Sequence, residues 1–541
     1  MKIPWWSSLK ARWITILMVL MASPLMAYAQ ETTEATAKGL APLDWFIIVI
    51  YAISTIGLGW YYGKKQTTTK EYFAGTGDMP WFLIGVSLFA TLLSTITYLS
   101  IPGEMLGKGP IYLSSLLALP LVYPVVAYWL LPLYMKNKVT SAYELLEIRL
   151  GLSVRLLGAV MFLLLRLVWM SLLVYLAAKA MSVMMGVDEK YIPVIVLVTG
   201  SVSVIYTSLG GLRAVVLTDF IQSVLLLGGA LLVIAMITFD LGGFSWLPTQ
   251  FQDHWDTQPI VTLDPTVRMS IFGTVLSVFC WYVFTSGGDQ VSVQRFMSTR
   301  DIKAARRALM TQLIVVAFIT ITLGLVGFAL MGYFQAHPEL LPTDFSFDSN
   351  ADAVYPRYIA FHLPIGISGV VVAAMFAAAM SSIDSGVNSI TAVVMSDFLE
   401  RFGYHPKTEK GSMFAARCLA LAIGAIIVIG SSFVGAIEGN ITVVTGKTAN
   451  LLVTPIFCLF FFALFRPKAK TITVWIAWAF GFTTAILVGF SPEILHAMGH
   501  EDATGISFQW IAPASFIVNI GIGLLIHYIL GQKTEEVVSE A

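Results

Sequence analysis

Apolar runs of roughly 20 residues follow one another along the chain, each closed by a short polar stretch. They fall near 43–63, 79–101, 111–135, 153–181, 191–208, 214–239, 268–293, 308–334, 363–396, 413–435, 441–465, 471–491 and 506–530. Each is long enough to cross a hydrocarbon layer ~30 Å thick as a helix. The pattern predicts an all-α polytopic membrane protein with 13 transmembrane helices. Composition agrees: of 541 residues, 57% are apolar and 12% charged, with mean hydropathy +0.80. A soluble chain is nearer half apolar and a quarter charged. Formal net charge is zero, so nothing in the overall charge favours nucleic acid. Cys280, Cys418 and Cys458 all sit in apolar runs, which argues against a disulfide framework or a thiolate metal cluster.

The N-terminus has the form of a signal peptide over 1–29: Lys2, Lys10 and Arg12, an apolar core Ile14–Leu25, then Ala27-Tyr28-Ala29. The alternative is one more retained helix. With 30–42 outside, thirteen crossings place the tail 531–541 in the cytoplasm. On that topology Lys and Arg are about threefold more numerous on the cytoplasmic side, as the positive-inside rule requires. This predicts a multi-pass protein of the inner (plasma) membrane, with lipid as its main surroundings and no obligate protein partner evident.

Thirteen spans divide into a leading helix, 43–63, two sets of five, 79–239 and 268–465, and two trailing helices within 471–530. A five-span unit repeated in sequence inserts upside down, the plan by which secondary transporters build a site near the midplane. The first span of each set carries signs of a broken helix. One is Ser/Thr-rich and ends at Pro102-Gly103; the other is interrupted at Gly287-Gly288 beside Asp289.

The densest candidate chemistry is MSSIDSGVNSI, Met380–Ile390, inside the ninth run. On a helix, Ala378, Ser381, Ser382 and Ser385 share a face. A packing seam, with hydroxyls bonded to their own i−4 carbonyls, accounts for the serines but not for Asp384. A carboxylate at the centre of a membrane helix costs ~2.5–3.5 kcal/mol on insertion scales. It calls for a partner, such as a hard monovalent cation held by hydroxyls and by carbonyls freed in a broken helix opposite, near Ala90–Leu93.

Several stretches together resemble the sodium:solute symporter family: YTSLGGLRA (Tyr206–Ala214), TDFIQ (Thr218–Gln222), DQVSVQR (Asp289–Arg295) and AAAMSSIDSGVNS. KEYFAGTGDMPW and VTSAYELLEIRLG fit as well, whereas the glycine upstream of the first stretch is missing. The resemblance implies the leucine-transporter-type 5+5 inverted repeat. It also implies a sodium site made by the carbonyls of Ala90, Leu93 and Ala378 with the hydroxyls of Ser381 and Ser382. A second sodium, as in sialic-acid-type members, would use Asp219, Asp384 and Ser385; Asp219 is alternatively a helix cap. Solute-lining positions carried over are Ser94, Thr97, Tyr282, Thr285 and Ser286.

Sugar-transporting members have a Glu-Gln pair where this chain has Ile96 and Thr97, which disfavours a hexose. Arg166 and Lys447 are candidates to meet a substrate carboxylate. The arginine of sialic-acid members, however, falls at Trp169, and Arg166 alternatively pairs with Asp219 or Asp384, while Lys447 alternatively reaches outward. The implied function is sodium-coupled symport of a small polar solute, an organic anion such as a sialic acid or carboxylate. Sodium is the coupling ion and no other cofactor is implied. The alternatives are a sugar symporter, a proton-coupled transporter and a solute sensor. No nucleophile–base pair, HExxH or nucleotide loop suggests an enzyme.

Overall fold

The computed structural model describes residues 40–531 apart from 65, 67, 76–78, 93, 138–140, 342–344, 348–349, 405, 435–440 and 501–503. The expected signal peptide and most of the cytoplasmic tail therefore lie outside the described residues. All regular elements among those residues are helical.

The principal helices are α1 (Pro42–Gly63), α2 (Trp81–Leu92), α3 (Thr95–Gly107), α4 (Pro110–Lys136), α5 (Leu152–Met185) and α6 (Ile192–Asp240). After an outer loop come α7 (Ile271–Gly288), α8 (Gln290–Met297), α9 (Ile302–Ala336), α10 (Ala351–His362) and α11 (Ile367–Val393). The last are α12 (Glu409–Ser431), α13 (Ile441–Phe465), α14 (Thr471–Gly489) and α15 (Ile511–Leu530).

Eleven helices are long and apolar enough to cross a membrane, or twelve if the bent pair α2–α3 is one span. The thirteen separate runs differ from this at one place. Runs 191–208 and 214–239 join as the 49-residue α6, whose backbone leaves helical dihedrals at Gly211 (φ 55°, ψ −170°). That region is essentially restricted to glycine. A Cβ there would lie 2.7 Å from the Tyr72 carbonyl oxygen.

Both expected breaks are present. Between α2 and α3 the chain bends by 68°, and Ser94 restarts the helix as N-cap by accepting from Thr97 N at 3.4 Å. Between α7 and α8 Asp289 is extended (φ −98°, ψ 121°) and caps α8 by accepting from Val291 N at 3.1 Å.

Burial separates the core from the lipid-facing shell. In α11, 94% of the apolar window is buried, against 22% for the span containing α15. Large apolar side chains such as Phe46 and Ile53 of α1 and Ile517 and Ile529 of α15 are exposed, as helices bathed in lipid require. α11 packs most extensively on α6 and also meets α1, α2 and α5. Asp44 pins this arrangement: its Oδ1 accepts from Gly366 N (2.6 Å) and Gly369 N (2.8 Å), while Oδ2 accepts from Ala41 N (2.9 Å). One carboxylate thus satisfies orphan amides at the starts of α1 and α11.

Candidate cation and solute site

Because α11 is buried all round, its polar residues face protein, and their partners are specific. Ser381 Oγ does not bond its own i−4 carbonyl; it donates to Asp219 Oδ1 at 2.5 Å. Ser87 of α2 donates to Asp219 Oδ2 at 2.5 Å, and Arg295 Nη2 of α8 lies 3.3 Å from the same oxygen. Arg295 also donates to Ser87 Oγ (2.8 Å) and Ser385 Oγ (2.5 Å), and Ser385 pairs with Thr91 at 2.9 Å. This network joins both broken helices to α6 and α11. Asp219 and Arg295 are each fully buried.

Of the residues expected at the main sodium site, Ala90, Ala378, Ser381 and Ser382 are all buried on facing stretches of α2 and α11. Leu93 lies outside the described residues. In the expected second set, Asp219 and Ser385 share the Arg295 network, but Asp384 has different partners. Its Oδ1 accepts from Ser203 and Thr207 at 2.6 Å each. Asp219 is not an end cap; it sits within α6, well past Gly211.

The solute candidates divide. A cavity of about 120 Å³ between α2–α3, α4, α7 and α9 has Thr97 and Tyr282 in its wall, with Phe89, Leu92 and Trp281. Ser94 is buried beside it, its hydroxyl 3.5 Å from that of Thr97. Thr285 and Ser286 are buried and do not line it; Thr285 donates to its own Trp281 carbonyl at 2.7 Å.

Neither cation is placed to face the cavity. Arg166 pairs with Asp289, both nearly inaccessible, rather than with Asp219 or Asp384 as the sequence alternatives had it. Lys447 reaches Glu493 at 2.8 Å and lies 5.6 Å from the Phe490 ring, in line with the outward-reaching alternative.

Arg295, the buried partner of Asp219, is the member of this network that sequence reasoning missed. Its place just past the run 268–293 counted it among the cytoplasmic cations, yet it is completely buried. The available signal was its place in DQVSVQR, one of the stretches that carry the family resemblance; it also donates to the Val291 carbonyl at 3.2 Å.

A family model described as the sodium:solute symporter family matches residues 72–494. The chain belongs to the sodium:solute symporter family. Among its relatives, a sodium/sialic acid symporter of Proteus mirabilis is 34% identical over 71% of this chain and 76% of the relative. A sodium/sialic acid symporter of Aliivibrio fischeri is 29% identical over 90% and 94%. The human sodium-coupled monocarboxylate transporter 1 is 25% identical over 85% and 75%. A solved structure of a Na+-coupled sialic acid symporter, in a substrate-bound outward-open state with a novel Na+-site, superposes with TM-score 0.80 at 27% identity. That likeness covers 92% of this chain and all of the other. The protein is therefore a sodium-coupled membrane transporter and not an enzyme.

Proposed function

We propose that this symporter imports a small organic anion of the sialic acid or carboxylate kind, driven by sodium. The ion would sit between the carbonyls of Ala90, Leu93 and Ala378 and the hydroxyls of Ser381 and Ser382. The observation that carries this reading is the Ser381–Asp219 hydrogen bond opposite the broken helix α2–α3. A hydroxyl that gives its hydrogen to a carboxylate turns its lone pairs elsewhere, ready for a hard cation. Asp219, held by Arg295 and Ser87, acts as a positioning residue. Ion and solute then strengthen each other's binding by the same factor.

The thirteen-crossing, 5+5 inverted-repeat plan is part of this proposal. At ~1.5 Å per residue a straight α6 would run roughly 70 Å, over twice the hydrocarbon thickness. Turning at Gly211, it supplies two crossings. The repeats 79–239 and 268–465 follow, with N-terminus outside, C-terminus in the cytoplasm and an inner-membrane location.

One observation favours a second reading, a neutral solute. Arg166 and Lys447 are both engaged with carboxylates, and the cavity wall carries no charged residue. Uptake into proteoliposomes under a sodium gradient, compared for N-acetylneuraminate, a short monocarboxylate and glucose, separates the two. Uptake of either acid but not glucose supports the anion reading; glucose alone overturns it. Equal uptake under a proton gradient without sodium would overturn the coupling ion.

A further inference from the structure

Asp384 is a buried carboxylate that, unlike Asp219, has no counter-charge among the described residues. It is 0% exposed. Oδ1 accepts from Ser203 and Thr207, both in α6 ahead of Gly211, while Oδ2 is buried and bonded to nothing. Among the described residues no cation pairs with it, whereas Asp219 has Arg295. An uncompensated buried carboxylate costs several kcal/mol, so the native state must supply a positive charge there.

The two hydroxyls are built to receive one. Each already has an alternative acceptor: Thr207 Oγ1 lies 2.8 Å from the Ser203 carbonyl oxygen, and Ser203 Oγ 3.4 Å from that of Met380. When their hydrogens swing to those carbonyls, both oxygens offer lone pairs toward Asp384, and no donor is stranded. One turn along α11, Asn388 is 1% exposed with neither amide atom bonded, a further polar group on the same side.

We propose that Asp384, Ser203 and Thr207 form a second monovalent-cation site, distinct from the Asp219–Ser381 centre and filled by Na+ or a proton. Other titratable groups around it are engaged. Tyr51 of α1, within electrostatic reach of Asp384 and Asp219, meets the Gln222 amide together with Tyr206. Arg295 of α8 is on Asp219, Arg166 of α5 on Asp289, and Arg417 of α12 donates to the Gly63 carbonyl at 3.1 Å. The site deepens the symporter reading, and its test needs no solute, so failure of one is distinguishable from failure of the other.

The experiment counts radiolabelled sodium bound per purified chain at saturation, at mildly acidic and mildly alkaline pH, for wild type and Asp384→Asn. Infrared spectra of the same samples report protonated carboxyl groups. If sodium is the occupant, D384N binds one ion fewer. If a proton is, sodium counts match and wild type shows a carboxyl C=O band that D384N lacks. Equal counts with no such band overturn the proposal. Should D384N fail to fold, Thr207→Val keeps the carboxylate. Weaker sodium binding or a shifted carboxyl band then supports the site, and no change in either overturns it.

Discussion

At the scale of single residues, the interior is organised by arginines that sequence position alone would send to opposite fates. Arg295 follows a glycine pair and reads as a loop cation; Arg166 stands in mid-helix and reads as a substrate ligand. Both prove to be structural counter-charges, for Asp219 and Asp289 respectively. A carboxylate–guanidinium pair shut away from water is costly to break by removing one side, about 3–5 kcal/mol. Arg166→Met should therefore lower thermal stability markedly, and adding Asp289→Asn, which keeps the α8 cap, should recover most of the loss. Melting curves of the two variants in detergent check this; an additive double variant would mean that the pair is not coupled. The serines and Asp384 were legible in the sequence because polar groups at helix centre are expensive. Which carboxylate each would serve was not, since a helix period cannot say which neighbour arrives on a given face.

At the scale of elements, breaks and latches do the positioning. The Gly287-Gly288 signal placed the second break to the residue, whereas Pro102-Gly103 lies inside α3 and the first bend falls more than two turns earlier, after Leu92. The sequence separated two crossings around 209–213, but did not reveal that they join without a loop, through one non-helical residue at Gly211. Gly211→Ala should cost about 1–3 kcal/mol, since alanine is unsuited to that backbone and its Cβ would press on the Tyr72 carbonyl. A melting point like that of wild type would contradict it.

A second device lies where the helix 144–150 meets the end of α11. Glu147 accepts from Arg401 (2.9 Å) and Arg155 (2.6 Å), and Arg155 also donates to Asp397 at 2.6 Å. Arg401 beside it, with Arg155, holds the Glu147 carboxyl below the usual glutamate range. A depressed carboxyl contributes stability above its unfolded value, about 4.3, and loses it as pH falls through the lower folded value. Glu147→Gln should therefore lower stability at neutral and alkaline pH and flatten the acid side of the profile, where variant and wild type converge. An unaltered acid limb would show that the latch carries no stability.

At the scale of the whole molecule, a bundle whose central helix is almost wholly buried presents its hydroxyls to a broken helix and not to lipid. The all-helical membrane fold was legible from the apolar runs. The family was legible from short polar motifs, because those motifs sit where polarity must be functional. The solute was not, since the cavity wall mixes aromatic and hydroxyl groups that suit many small molecules. The account turns on sodium held at Ser381 and Ser382, and sodium activation of solute uptake in proteoliposomes tests that most directly. With Ser381→Ala and Ser382→Ala combined, the sodium concentration for half-maximal uptake should rise at least about tenfold, equivalent to ~1.4 kcal/mol. Half-activation at the wild-type sodium concentration would contradict it.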